Sequence, residues 1–203
     1  AVVWDDLDNL LKKRFKTEGG RSMPISCCTI DSGGLHTNQC YQFTKPRQGR
    51  RIFAVKGLSV AGKPIANKPS FVGKNRAVLY GVGTDQAKEL IYGRLAAEPD
   101  KSTLHFSSEL DQEYFKQLTA EKRVTKYLRG RPQMIWKQIR KRNESLDCLV
   151  YCFAAIYILN PNWDSIETKI LNQEKDPVRN NQSRRNNANS RPGRNFVNSW
   201  KDL

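Results

Sequence analysis

The sequence has no long hydrophobic run. No stretch approaches the roughly 18 consecutive apolar residues that a membrane-spanning helix needs. No positively charged segment followed by an apolar core opens the sequence, so it shows no recognisable secretory leader. We therefore expect a soluble, intracellular protein that does not bind membranes.

The sequence also lacks the cysteine pattern of a disulfide-rich protein. It has 5 cysteines, an odd number, and Cys27 and Cys28 are adjacent in a strand-like segment, where neighbouring side chains point to opposite faces. Cys28, His36 and Cys40 are close in sequence, but their spacing matches no usual zinc pattern and no fourth ligand is evident. Buried reduced thiols are a better interpretation than a zinc site.

Acidic residues are scarce relative to basic ones. The chain has 20 Asp and Glu against 35 Lys and Arg, which gives a net charge of +15. This charge favours a polyanionic partner, and nucleic acid fits better than anionic lipid because no membrane segment is present. With 203 residues, of which 38% are hydrophobic, we expect one domain plus appendages.

The first half of the sequence predicts an α/β fold. A helical pattern over residues 2–15 is followed by a strand that ends at Asp31, a helix over about 36–43 and a second strand over about 50–57. A strand, a helix and a strand in so short a segment predict a βαβ unit, whose two strands are parallel.

The second half predicts further elements of the same kind. A third strand over residues 77–82 leads into an amphipathic helix, with Thr84 as its N-cap. A short strand follows at 104–106. The most apolar helix runs over 144–159 and ends before Pro161, because proline cannot continue a helix.

The composition changes sharply near the end of the sequence. Residues 172–203 contain eight Asn and seven Lys or Arg, with almost nothing to bury. We therefore predict one domain over residues 1–171 and a basic tail without stable structure over 172–203.

Candidate functional acids follow two of the predicted strands. In open α/β sheets, ligands bind beyond the carboxyl ends of the strands, and Asp31 occupies such a position. Gly33 and Gly34 after it allow a substrate to approach the backbone closely. Asp85 follows the third strand in the same way, but an acid that stabilises the helix N-terminus is the preferred interpretation there.

Two further acids open the most apolar helix. Glu144 and Asp147 are three residues apart and therefore share one helix face. If this helix packs across the sheet near Asp31, the three carboxylates could converge on one or two divalent ions. Mg²⁺ and Mn²⁺ suit such oxygen ligands and support phosphodiester cleavage.

The stretch GLSVAGKP over residues 57–64 has the spacing of a phosphate-binding loop. It lacks the decisive hydroxyl, because Pro64 stands where Ser or Thr would hold magnesium. We therefore expect no nucleotide in this chain. A basic loop beside DNA, with Lys56 and Lys63, or a merely solvated loop is the better interpretation.

The segment over residues 121–142 is strongly basic, with nine Lys or Arg and one acid. Two interpretations remain open here, a track along the DNA backbone and an ordinary solvated face. The candidate DNA contacts are Lys122, Arg123, Lys126, Arg129, Arg131, Lys137, Arg140, Lys141 and Arg142.

Several stretches together resemble a known family. They are IDSGGLHTNQCYQF, RRIFAVKGLSVAGKPI, VGTDQAKELIYGRL, LHF followed by EYFKQLTAEK, and RNESLDCLVY. In this order they closely resemble the C-terminal nuclease part of the lambda-type large terminase subunit of tailed phages and prophages. The resemblance covers about Val3 to Leu159.

This resemblance implies an RNase H-like nuclease, with a mixed sheet flanked by helices. It implies that concatemeric double-stranded phage DNA is cut during genome packaging with Mg²⁺ or Mn²⁺, in the cytoplasm of the bacterial host. Asp31 matches the acid at the end of the family's central strand, and Glu144 and Asp147 match its acidic helix, with Asp147 favoured as the principal ligand. The small terminase subunit and the portal are the implied partners.

The family pattern also includes a catalytic aspartate on an earlier strand of a β-meander, and an ATPase further upstream. Neither is found in this sequence. We therefore expect an incomplete metal site with low activity or none, and an exposed sheet edge that favours self-association. A non-catalytic DNA-binding or packaging-interaction module is the alternative function. A nuclease acting on RNA or in recombination is a third possibility on such a fold.

Overall fold

The computed structural model describes residues 2–58, 60–74, 76–98 and 104–175, without the side chains of 128 and 173–175. The chain divides into two compact units, residues 1–160 and 161–203. The helices are α1 (Val2–Leu11), α2 (Thr37–Thr44), α3 (Thr84–Leu95), α4 (Gln112–Leu118), α5 (Glu144–Leu159) and, in the second unit, α6 (Trp163–Lys175), with a 3-10 helix at Lys45–Arg50. The strands are β1 (Arg14–Lys16), β2 (Ser22–Pro24), β3 (Cys28–Asp31), β4 (Ile52–Leu58), β5 (Ser70–Val72), β6 (Ala77–Gly83), β7 (Glu121–Leu128) and β8 (Arg131–Gln138).

A four-stranded mixed sheet forms the centre of the first unit, in the order β3-β4-β6-β5. Strands β3, β4 and β6 are parallel, and β5 is antiparallel to β6. In the register, Asp31 lies opposite Val55, which lies opposite Tyr80. The predicted βαβ unit is therefore confirmed, and the apolar run of β4 is typical of a parallel strand that is buried on both faces.

Helices pack on this mixed sheet, as predicted. Helices α3, α4 and α5 enclose the main core with Val55 and Val82 of the sheet. Helix α2 contacts β4 and β6, and its buried Cys40 and Phe43 lie outside that core cluster, which indicates the other face of the sheet. The core consists of Val55, Ile65, Val82, Ala87, Ile91, Leu118, Leu146, Val150, Phe153 and Ala154. The more specific RNase H-like assignment stays a prediction.

Strand β3 is an edge strand in the part of the chain that the structure describes. It pairs with β4 only, through bonds such as Cys28 N–H to the Arg51 carbonyl and Ser32 N–H to the Val55 carbonyl. An edge strand of this kind offers unpaired backbone groups to another strand. Self-association through it stays a prediction.

Three local predictions were wrong. The first helix ends at Leu11 rather than near residue 15, because Arg14 starts a hairpin in which its Nε donates to Ser22 Oγ at 2.7 Å. Gly83, not Thr84, is the N-cap residue of α3. No strand forms at 104–106, where Phe106 instead packs edge-on against the ring of Tyr114.

The close approach of the loop at Lys63 and Pro64 explains why a glycine occupies the N-cap position at Gly83. A Cβ at this position would lie 2.0 Å from the Lys63 carbonyl oxygen, and the Gly83 N–H donates to the Pro64 carbonyl at 3.0 Å. The stretch with phosphate-loop spacing thus folds onto the end of β6, and β5 follows it where a phosphate-binding loop would lead into a helix.

The basic segment forms a separate two-stranded hairpin of β7 and β8, where no specific element was predicted. Its two-residue loop, Arg129 and Gly130, has φ values of 51° and 76°, as a type I′ turn requires. The most apolar helix has the predicted bounds, Glu144–Leu159. The predicted tail begins inside α6, and its residues 176–203 lie outside the described residues.

A buried acid anchors α1. Asp8 is 8% exposed and forms salt bridges with Lys12 at 2.7 Å, Arg47 at 2.8 Å and Arg50 at 2.6 Å. The hydrogen bonds from Arg47, Lys12 and Arg50 hold the pKa of the Asp8 carboxyl well below its usual range. This acid therefore joins the first helix to the 3-10 helix.

Candidate active site

Asp31 lies at the carboxyl end of β3, and its side chain is exposed. Its Oδ1 accepts the backbone N–H of Gly33 at 2.9 Å. The loop that follows is fixed, because the Ser32 hydroxyl donates to the Val55 carbonyl at 2.9 Å and the Thr37 hydroxyl donates to the Ser32 carbonyl at 2.6 Å. The fold thus holds the backbone here while it leaves the carboxylate open to a ligand.

Asp147 lies in the first turn of α5 and is half-buried. Its backbone N–H donates to the Asn143 carbonyl at 3.1 Å, the first bond of this helix. Burial raises the pKa of the Asp147 carboxyl; Lys88 opposes this, and the negative charges of Glu121, Asp31 and Glu144 add to the increase. The structure therefore brings Asp147 within electrostatic reach of Asp31, and the convergence of these acids on a metal ion stays a prediction.

Tyr151 is within electrostatic reach of both aspartates. It follows Asp147 by one helical turn, and burial together with the charges of Asp31 and Asp147 raises the pKa of its phenol. A Cβ at Gly57 would lie 3.5 Å from the Tyr151 hydroxyl, so β4 passes close to it. The Thr29 hydroxyl donates to the Tyr151 carbonyl at 3.0 Å, which ties α5 to β3.

A buried ion pair lies beside Asp147. Lys88 Nζ is 2.9 and 2.8 Å from the two carboxylate oxygens of Glu121, and Asn143 Nδ2 donates to the same carboxylate at 3.1 Å. Sequence reasoning missed these residues, because Lys88 and Glu121 are 33 positions apart. The one available signal was Glu121 itself, the single acid in a basic segment.

The other two candidate acids are placed differently. Glu144 has a side chain that is 62% exposed and lies 3.5 Å from Arg142. Asp85 is half-buried in the first turn of α3, as its interpretation as a helix N-terminal acid requires. The charged groups that shift the pKa of Asp147 are Lys88, Glu121, Asp31 and Glu144. Asp31 and Asp147 therefore form the centre of the site, with Glu144 at its rim.

The donor set decides which metal fits. Within the described ranges, no group of three or more His, Cys, Asp or Glu side chains is arranged to hold a metal ion. Mg²⁺, however, is usually bound by one or two carboxylates that leave room for waters and substrate phosphates. The exposed Asp31 and the half-buried Asp147, whose negative charges repel each other, fit that mode of binding.

The hairpin presents a cationic face. In the register, Lys122 lies directly opposite Lys137, and Lys126 lies on the same face, four residues along β7. Like charges in opposed positions destabilise a strand pair, so an isolated hairpin gains nothing from this arrangement. An anion that contacts this face would remove the repulsion.

The nine predicted DNA contacts of the basic segment are all exposed. One of them is engaged elsewhere, because Arg123 lies on the opposite face of the hairpin, 3.0 Å from Glu89 of α3. Lys56 is exposed near the carboxyl end of β4, and Lys63 is exposed in the following loop.

The family profile described as "Terminase large subunit gpA, endonuclease domain" matches residues 1–169. The chain is similar to the terminase large subunit of Escherichia phage lambda, with 36% identity over 165 residues, covering 77% of this chain and 26% of that protein. It is similar to the terminase large subunit of Enterobacteria phage P21, with 35% identity over 166 residues and the same two shares. The chain thus spans about a quarter of the length of these relatives. No solved structure matches it.

The helices give one further finding. None of those in the described ranges is long and apolar enough to cross a membrane.

Proposed function

The chain belongs to the family of terminase large subunit endonuclease domains, and on this premise we propose that it is a divalent-metal-dependent endonuclease acting on double-stranded DNA. The observation that carries the proposal is that α5 packs on β3, where the Thr29 hydroxyl donates to the Tyr151 carbonyl, so that Asp147 in the first turn of α5 interacts electrostatically with Asp31 at the end of β3. Burial raises the pKa of the Asp147 carboxyl, and the negative charge of Asp31 adds to this increase although Lys88 opposes it, in a chain with a net charge of +15.

Each part of the site has a distinct task in this proposal. Asp31 and Asp147 hold Mg²⁺ or Mn²⁺, and Glu144 assists at the rim. The bound ion supplies charge stabilisation for the attacking and leaving oxygens of the phosphodiester. The exposed lysines of the hairpin bind the DNA backbone and thereby bring a phosphate to the carboxylates.

The biological setting is part of the same proposal. Both relatives are named as terminase large subunits of phages. We therefore infer that the DNA is a phage concatemer cut during genome packaging in the bacterial cytoplasm. The small terminase subunit and the portal are the proposed partners.

A non-catalytic DNA-binding module is the second candidate. Two observations favour it: the opposed Lys122 and Lys137 on the hairpin, and the lack of a group of three metal-binding side chains within the described residues. In this case the acids would serve the structure alone. DNA affinity would then depend on salt but not on Mg²⁺ or on Asp31.

The proposal is tested by incubating the chain with supercoiled plasmid in Mn²⁺, Mg²⁺ or EDTA, beside Asp31→Ala and the control Asp5→Ala, an exposed acid of α1. We expect nicking that is slow but metal-dependent, and that Asp31→Ala lowers by more than about 100-fold, since removal of an outer-shell partner alone can cost that much. DNA binding should stay equal or become slightly tighter, because one negative charge near phosphate is lost.

Other outcomes separate the candidates. Nicking that persists in EDTA would refute a metal-dependent site. No nicking, together with salt-dependent binding that disappears in a Lys122→Gln, Lys126→Gln and Lys137→Gln variant, would support the binding module. Lysines elsewhere on the surface, Lys13, Lys16 and Lys169, give the matched triple control.

A further inference from the structure

The hairpin rests on the rest of the first unit through its base. At this base the Ile139 N–H donates to the Ala120 carbonyl at 2.8 Å, which extends the pairing of the hairpin by one residue pair beyond the strands. Towards the tip, Tyr127 is 71% exposed. Contacts with α3 follow one side of the hairpin: Lys88 with Glu121, Glu89 with Arg123, and Tyr92 with Trp136, whose ring centroids are 4.8 Å apart.

These contacts differ in burial. The side chains of Lys88 and Glu121 are 12% and 7% exposed, whereas those of Arg123 and Glu89 are 48% and 37% exposed. The exposed pair is weakened by solvent screening. The buried pair is compensated on every side, because Asn143 donates to the Glu121 carboxylate and the Tyr92 hydroxyl donates to the Glu121 carbonyl at 2.6 Å.

The buried pair also touches the start of α5. Asn143 is the N-cap residue of this helix, and its carbonyl accepts the N–H of Asp147. Glu121 therefore contacts α3 through Lys88 and the start of α5 through Asn143. One carboxylate of the hairpin thus joins the two helices that flank the candidate site.

We propose that Lys88 and Glu121 are positioning residues, which hold the cationic face of the hairpin in a fixed place relative to Asp31 and Asp147. This inference rests on the proposed nuclease function. Apolar packing alone could dock a hairpin, and a buried ion pair is a costly way to gain stability. A lysine that meets both oxygens of one carboxylate instead fixes the direction in which the hairpin projects.

The arrangement separates binding from turnover. DNA contacts Lys122, Lys126 and Lys137, which remain exposed whether or not the base of the hairpin is fixed. Without the pair, the hairpin can rotate on its base, and the bound phosphate is displaced from the carboxylates. Displacement of a reacting group by about 1 Å can cost on the order of 100-fold in rate.

The test compares three variants with the full chain. Lys88→Gln combined with Glu121→Gln removes both charges at once, so that no single buried charge is left uncompensated. Lys88→Arg keeps a cation that can meet both oxygens. Glu89→Gln is the matched control, because it breaks only the exposed pair between the same two elements.

The first readout does not depend on activity. Fluorine NMR of the chain labelled with 5-fluorotryptophan reports the contact of Trp136 with Tyr92, and its signal is assigned with Trp136→Phe. We expect this signal to shift or broaden in the double variant and to stay unchanged in Glu89→Gln. An unchanged signal in the double variant would overturn the inference.

The second readout is plasmid cleavage beside DNA affinity. We expect at least a tenfold loss of kcat in the double variant, with DNA affinity within about threefold and most of the rate restored in Lys88→Arg. Equal losses of affinity and rate would refute positioning. If the parent cuts nothing, the proposed function fails, and the NMR signal still decides whether the pair holds the hairpin.

Discussion

Asp8 and Asp147 are two partly buried acids of the same basic chain, and their surroundings are opposite. Asp8 is surrounded by Lys12, Arg47 and Arg50, and their hydrogen bonds lower its pKa. Asp147 is desolvated beside the carboxylates of Glu121, Asp31 and Glu144, and its pKa is raised although Lys88 is near. Lys88, the cation that opposes the rise in the Asp147 pKa, is itself bound to Glu121.

The difference indicates which acid serves structure and which serves chemistry. In a chain with 35 Lys and Arg, a cation can be placed beside any acid that needs one. Asp8 has three such partners and contributes to the fold. Asp147 has acids for neighbours, an arrangement that costs stability and that a divalent ion would reverse.

The largest expected difference between the two acids is in cleavage. Asp147→Asn should lower metal-dependent plasmid nicking by more than about 100-fold, because it removes a metal ligand while keeping the shape of the side chain. Asp8→Asn should nick at a rate close to that of the parent once folded. Initial nicking rates, measured at a temperature where circular dichroism shows both variants folded, check this. Equal losses of nicking rate in both variants would show that Asp147 has no greater role in cleavage than Asp8.

The next largest expected effect is the pH dependence of the stability that Asp8 contributes to the fold. Because its pKa in the folded state is lowered from about 3.8, its contribution is complete above about pH 4 and is lost as the pH falls towards the folded value. Asp8→Asn should therefore lower Tm by several degrees at pH 7 and by less at pH 3. Thermal unfolding from pH 3 to pH 7, with the exposed Asp5→Asn as the control, measures this. A difference from the parent that does not change with pH would contradict the account.

The smallest expected effect is on thermal stability at Asp147, where substitution should raise Tm and not lower it. Its raised pKa means that ionisation costs stability above the folded pKa and costs nothing below the unfolded value near pH 4. In EDTA, Asp147→Asn should raise Tm at pH 7 by on the order of 2 °C. The gain should disappear as the pH falls to 4. A lower Tm at pH 7 would show that Asp147 is a structural acid like Asp8.

The sequence predicted the parts of the fold that depend on local apolar patterns. Helix α5 has the predicted bounds because its apolar run is long and Asn160-Pro161 ends it. The strand before Asp31 and the parallel β4 followed from two apolar runs joined by a short helix. The same apolar pattern favoured packing of α5 on the sheet near Asp31, and α5 does pack on β3. A shared metal site of Asp31 and Asp147 stays a prediction.

The hairpin was not predictable in this way. Its faces are mostly charged, with only Val124 and Ile135 partly buried opposite each other on the cationic face. The turn uses Arg129-Gly130 instead of the more common Asn-Gly. Lys88 and Glu121 were missed for a different reason, because a contact between residues 33 positions apart follows from the tertiary fold and not from local pattern.

Direct binding of Mn²⁺, followed by calorimetry without DNA, tests the central claim that Asp31 and Asp147 together hold a divalent ion. We expect the parent and Asp8→Asn to bind Mn²⁺ with similar affinity, and Asp31→Ala and Asp147→Asn each to weaken this affinity by at least about tenfold. Affinity that is unchanged in Asp147→Asn, or lost equally in Asp8→Asn, would contradict this claim.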